Sequence, residues 1–116
     1  MFTTIGYEVG KLPCYRNGAF DFDAYISALK DAKPGSPVVL HTCAHNPTGC
    51  DPTREQWKVI GATIADRKLF PIFDSAYLGF NSGSFSDDAW PVRYFSEELN
   101  VELAVCLSMA KNMGLY

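Results

Sequence analysis

Apolar and polar positions alternate between two periods along this chain, and the changes of period mark its elements. Phe22, Tyr25, Ile26 and Leu29 recur at i, i+3, i+4 and i+7. That is one face of a helix. Asp21 stands where an N-cap belongs and Pro34-Gly35 marks the end. Pro37 to Cys43 is a short run rich in Val and Leu, which predicts a buried strand. Thr53-Arg54-Glu55-Gln56 has the spacing of a capping box, and Trp57, Ile60 and Ile64 follow on one helical face. Arg67-Lys68 put positive charge at the end of that helix, where it complements the dipole. Leu69 to Phe73 predicts a second strand ending at Asp74, weakened by Pro71, which cannot donate to a ladder. Asp87 is the expected cap of a short helix through Trp90, Val92, Phe95 and Leu99, and Val101 to Leu107 is the third strand run. Met1 to Tyr15 reads as a strand and an irregular connection, closed by a turn at Asn17-Gly18.

Strands separated by helices predict an α/β fold: a mostly parallel sheet with flanking helices in three layers. Ligands of such sheets sit outside the carboxyl ends of the strands. The polar groups just past those ends are His45 and Asn46, then Asp74 and Tyr77, then Ser108 and Lys111. Parallel pairing predicts that all of them share one edge.

Composition narrows the function. The chain has 116 residues, 47% apolar and 20% charged, which suits one small globular domain. A net charge of -3 without a basic stripe argues against a nucleic-acid partner. No apolar run approaches the roughly 18 residues of a membrane span, and no targeting signal is visible. Cys14, Cys43, Cys50 and Cys106 lack CxxC spacing and read as free thiols in a reducing compartment. A zinc site from two of them with His41 or His45 is poorly spaced, so no metal site is expected.

Lys111 lies in a stretch with no other charge, just beyond an apolar run. Partial loss of hydration lowers the pKa of such an amine, and the free amine forms Schiff bases. An amine, a carboxylate, a phenol, an amide and a hydroxyl on one edge suit pyridoxal phosphate, whose ring nitrogen, phenolic oxygen, aldehyde and phosphate each need a partner. Each residue also has a plainer reading. Lys111 can be an ordinary solvated lysine, Asp74 a turn cap, Tyr77 a half-buried aromatic, Asn46-Pro47 a turn, and the histidines structural.

The strings His41 to Thr53, Gln56-Trp57, Phe73 to Phe80 and Ser108 to Tyr116 resemble the aspartate aminotransferase family, class I pyridoxal-phosphate enzymes of fold type I. The Asn46-Pro47-Thr48-Gly49 piece is common to many aminotransferases; its continuation through Asp51-Pro52-Thr53 to Gln56-Trp57 points to the aspartate and aromatic branch. The resemblance implies that Lys111 carries the Schiff base and acts on the substrate α-carbon. Asp74 would partner the ring nitrogen, Tyr77 and Asn46 the phenolic oxygen, and Ser108 the phosphate. Ala110 stands where the family often has a second hydroxyl. The implied reaction is transamination between L-aspartate and 2-oxoglutarate in a homodimer of the cytoplasm or mitochondrial matrix. An aromatic or broad-specificity aminotransferase, or a non-catalytic fragment, is the alternative. Residues 1–116 are expected to be part of the cofactor-binding large domain, without the small domain and the N-terminal part, and nearly inactive alone.

Overall fold

The computed structural model describes residues 9–13, 15–43 and 51–108. The run expected as a first strand lies mostly outside them, and residues 9–13 are irregular. Helix α1 spans Phe22–Asp31, and its Asp21 cap accepts from the Ala24 N–H at 3.2 Å. Strand β1 is Pro37–His41. Helix α2, Arg54–Arg67, begins on a complete capping box: Thr53 Oγ1 accepts from the Gln56 N–H and Gln56 Oε1 accepts from the Thr53 N–H. It ends on Lys68 in the left-handed conformation (φ 55°). Strand β2 is Phe70–Ser75, and β3 is Ala104–Leu107. Ahead of α1, the Asn17-Gly18 turn forms as expected. Both residues have positive φ, 52° and 83°, and Arg16 and Ala19 exchange two backbone hydrogen bonds.

The three strands pair in parallel in the order β1-β2-β3. Pro71 sits inside the central strand, yet the sheet accommodates it. The Phe70 N–H is used toward the β1 side, by Ser36 O, so the nitrogen of Pro71 faces the β3 side. The β3 pairing starts only at Ile72, opposite Ala104, so the missing donor falls before that ladder begins.

The connection from β2 to β3 differs from the expected single helix. Helix α3 covers Phe85–Asp88 and is capped by Ser84, whose hydroxyl accepts from the Asp87 N–H at 3.3 Å. Helix α4 follows over Trp90–Arg93, and Tyr94–Glu98 is a π-helical segment. Asp87 is therefore inside the first turn rather than its cap. A π segment widens the turn, and it brings Phe95 into the core between Trp57 and Phe73. Gly61 permits that approach: a Cβ there would run into Leu99 Cδ1 and stand 3.2 Å from Phe95 Cε1.

One core joins α1, α2, the π segment and one face of the sheet. Tyr25, Leu29, Val38, Leu40, Trp57, Ile60, Ile64, Phe73 and Phe95 are all buried within it. Strand alternation sends Val39 to the other face, where it is 44% exposed. Arg67 ties the two long helices by donating to the Ala32 carbonyl at 2.8 Å. Among the described residues no helix is long and apolar enough to cross a membrane.

Candidate functional site at the carboxyl edge of the sheet

Parallel pairing places the ends of β1, β2 and β3 on one edge. His41 is opposite Asp74, and Asp74 is opposite Cys106, so these three share one face. The Asp74 carboxylate is about half exposed, and its Oδ2 lies 4.0 Å from His41 Nδ1. Among the described residues Asp74 makes no hydrogen bond to the amides that follow it, so it does not serve as a turn cap there. Ser75 points to the core face. Its hydroxyl meets Thr42 Oγ1 at 2.6 Å, with both residues buried, and the Thr42 N–H donates to the Asp74 carbonyl at 3.1 Å. Two bonds from Thr42 thus pin the backbone at Asp74 and Ser75 to the end of β1. Ser108 follows β3 directly, half-buried at the same edge.

Tyr77, also half-buried, opens the loop after β2. The Phe80 N–H donates to the Tyr77 carbonyl at 3.1 Å, and Gly79 has φ 89°. A positive φ at the third residue is what a type II turn requires, and glycine adopts it without strain. Beyond that turn the loop is held by a residue that the sequence reading missed. Asp88 is 4% exposed, and its carboxylate accepts from the amides of Gly79 at 2.9 Å, Asn81 at 3.2 Å and Ser82 at 3.1 Å. Two features of the sequence bear on this region without singling out Asp88 itself. Ser84 precedes Asp87 by three residues, which places the helix start at Ser84. A long Gly/Ser loop also needs an acceptor for its amides.

A cavity of about 110 Å³ lies behind this edge, lined by Thr42, Cys43, Arg54, Asp88 and Trp90 among others. Arg54 lies over the Trp90 ring at 5.0 Å from its centre and 3.7 Å from Asp87 Oδ1. Burial, and then the charges of Asp88 and Asp51, push the Cys43 thiol up to about 12. At pH 8, brief alkylation read by mass spectrometry is therefore expected to label exposed Cys106 at least about 100-fold faster than Cys43. The raised value also fixes a sign. The folded state holds this proton more tightly, so the contribution is present below pH 9 and is lost as pH rises from 9 to about 12. Equal labelling of the two thiols would contradict the burial assigned to Cys43.

Of the residues expected at the site, Asp74, Tyr77 and Ser108 come to the same edge. Asn46, His45 and Lys111 lie outside the described residues. The described set is a carboxylate, a phenol and a hydroxyl on the ends of adjacent strands, which fits a ligand with a cationic ring nitrogen, a phenolic oxygen and a phosphate. Among the described residues no group of three or more His, Cys, Asp or Glu side chains could hold a metal ion.

Comparison with known proteins gives the same direction. The chain is 44% identical over its whole length to a cytoplasmic aspartate aminotransferase of Schizosaccharomyces pombe, covering 29% of that protein. It is 55% identical over 83% of its length to aspartate aminotransferase 1 of Medicago sativa, covering 23% of it. An aromatic-amino-acid aminotransferase from Burkholderia pseudomallei, solved covalently bound to pyridoxal phosphate, superposes with a TM-score of 0.93. That match has 38% identity over 99% of this chain and 29% of the other. The chain thus spans less than a third of the length of these relatives. The family model described as aminotransferase class I and II matches residues 1–116, and the chain belongs to that family.

Proposed function

We propose that this chain is part of the cofactor-binding large domain of an enzyme that transfers an amino group between L-aspartate and 2-oxoglutarate, using pyridoxal phosphate. The observation that carries the reading is the shared edge: Asp74, Tyr77 and Ser108 stand past the ends of adjacent parallel strands, with Asp74 free of any turn-capping bond among the described residues. The aspartate substrate is supported by the names of the curated relatives. Bound at this edge, the cofactor would supply an electron sink for the substrate α-carbon.

In this reading Asp74 holds the proton on the ring nitrogen by charge. The Thr42–Ser75 hydrogen bond and the Thr42 amide keep its strand end fixed. Tyr77 and Asn46 donate to the phenolic oxygen, and Ser108 donates to the phosphate. Lys111 would hold the cofactor covalently and, once the substrate amine has displaced it and freed its own amine, would move a proton at the substrate α-carbon. Proton transfer by a positioned group contributes typically about 10²- to 10⁴-fold in rate. The intact enzyme is, in this reading, a homodimer of the cytoplasm or mitochondrial matrix.

Incubation of the chain with pyridoxal phosphate, reduction with borohydride and peptide mapping tests the reading. The expected result is a single label at Lys111 that vanishes in Lys111→Ala. Labelling scattered over the surface lysines, unchanged in that variant, would overturn it.

A further inference from the structure

We propose that Asp88 is a positioning residue for Tyr77, acting through the loop between them. The inference rests on the cofactor reading of Tyr77 given above. A single residue, Leu78, separates Tyr77 from the first amide that Asp88 binds. Gly79 is both the positive-φ residue of the turn closed onto the Tyr77 carbonyl and a donor to Asp88 Oδ2. The same carboxylate takes the amides of Asn81 and Ser82, so three of the four amides from Gly79 to Ser82 converge on one side chain.

Among the described residues, packing gives the stretch from Gly79 to Gly83 little other support. Gly79, Ser82 and Gly83 have no apolar side chain, and Phe80 is 61% exposed. Leu78 is buried and holds the start of the turn, but the turn's far side rests on Asp88. Hydrogen bonds to a charged acceptor are stronger than neutral ones, and burial strengthens them further. Asp88 itself is placed by α3, whose start is fixed by the Ser84 cap. A helix terminus far from the cofactor edge in sequence therefore sets where the phenol of Tyr77 stands.

A phenol that donates to the phenolic oxygen of the cofactor stabilises the anionic form of that oxygen. Loss of the bond then shifts the pH midpoint of the cofactor's visible band upward. The test uses the full chain with Asp88→Asn, Tyr77→Phe and the double variant. Without cofactor, Asp88→Asn is expected to raise amide hydrogen exchange at Gly79, Asn81 and Ser82 by at least about tenfold, with Leu40 and Phe73 unchanged. With pyridoxal phosphate bound, Asp88→Asn moves the midpoint upward in the same sense as Tyr77→Phe, and the double variant moves it no further than Tyr77→Phe alone.

If Tyr77→Phe shifts the midpoint and Asp88→Asn does not, Asp88 is merely structural and the inference fails alone. Additive shifts in the double variant would also overturn it. If the unsubstituted chain shows no cofactor band, or Tyr77→Phe leaves the midpoint unmoved, the cofactor reading fails and takes this inference with it. Should Asp88→Asn not fold, Asp88→Glu, which keeps the charge on a longer arm, must move the midpoint while the amides of Leu40 and Phe73 stay protected; an unmoved midpoint overturns the inference.

Discussion

Phe73→Ala is expected to lower the stability of the folded chain by about 3–5 kcal/mol, read as a fall in the denaturant midpoint at unchanged slope. Phe73 is fully buried at the middle of the sheet. Its ring meets Phe95 edge-on, with centres 5.1 Å apart at 85°, and meets Trp57 at 6.0 Å. Trp57 and Phe95 in turn stand edge-on at 5.9 Å. Three aromatic rings from a strand, a helix and the π segment thus close on one another, and each comes from a different part of the chain. Removing the central ring loses its transfer free energy and leaves a cavity that the fixed backbone of a sheet cannot collapse. A domain of this size holds only about 5–15 kcal/mol in total, so the change is a large share. Phe85→Ala is the control. Phe85 is 54% exposed, and its loss is expected to stay within about 0.5 kcal/mol. A Phe73→Ala loss as small as that of Phe85→Ala would mean that the three-ring cluster does not organise the core. A double replacement of Phe73 and Phe95 should deviate from additivity by about 0.5–1.5 kcal/mol, the range for aromatic pairs.

Much of this architecture is legible without coordinates, for a physical reason. The helical faces of Phe22 to Leu29 and Trp57 to Ile64 and the three strand runs are local patterns, and local patterns survive folding when the tertiary structure agrees with them. The caps at Asp21 and Thr53 use side chains three residues from their donors, so they too are visible in sequence. What escapes is decided at longer range. The break of the third helical region into α3, α4 and a π segment answers to the insertion of Phe95 against Trp57 and Phe73, residues far away in the chain. Asp88 escapes because its partners are backbone amides six to nine residues back, and backbone donors leave no mark on a sequence. Pro71 misleads in the other direction: the rule against proline in central strands assumes ladders on both sides, and here the second ladder begins one residue later. The candidate site is half visible by the same logic. Residue types near strand ends can be read off the chain; that Asp74 faces out while Ser75 locks onto Thr42 follows from the register.

Asp74→Asn is expected to reduce the rate of the proposed transamination by about 10- to 1000-fold in the intact enzyme while leaving stability within about 0.5 kcal/mol. The first figure follows from charge: an opposite charge close by favours the ionised partner by about 1–3 pKa units, so an uncharged amide lets a protonated ring nitrogen lose its proton by that factor. The second follows from exposure, since the carboxylate is about half in solvent and meets only His41, at 4.0 Å, among the described residues. The sign with pH is fixed as well. Acid supplies the proton that the carboxylate would have held, so the deficit of Asp74→Asn shrinks as pH falls and grows as pH rises. Steady-state kcat measured across pH, with Asp74→Glu as the charge-preserving variant, separates the possibilities. Recovery in Asp74→Glu and a pH-dependent deficit in Asp74→Asn support a role in holding the ring nitrogen. A rate within twofold of the unsubstituted enzyme at every pH would reduce Asp74 to a surface carboxylate beside a histidine. Phe73 and Asp74 are neighbours in the chain, yet the alternation of a strand turns one into the core and the other to the open edge. The same peptide therefore carries the largest expected loss of stability and the largest expected loss of chemistry, with each separable from the other.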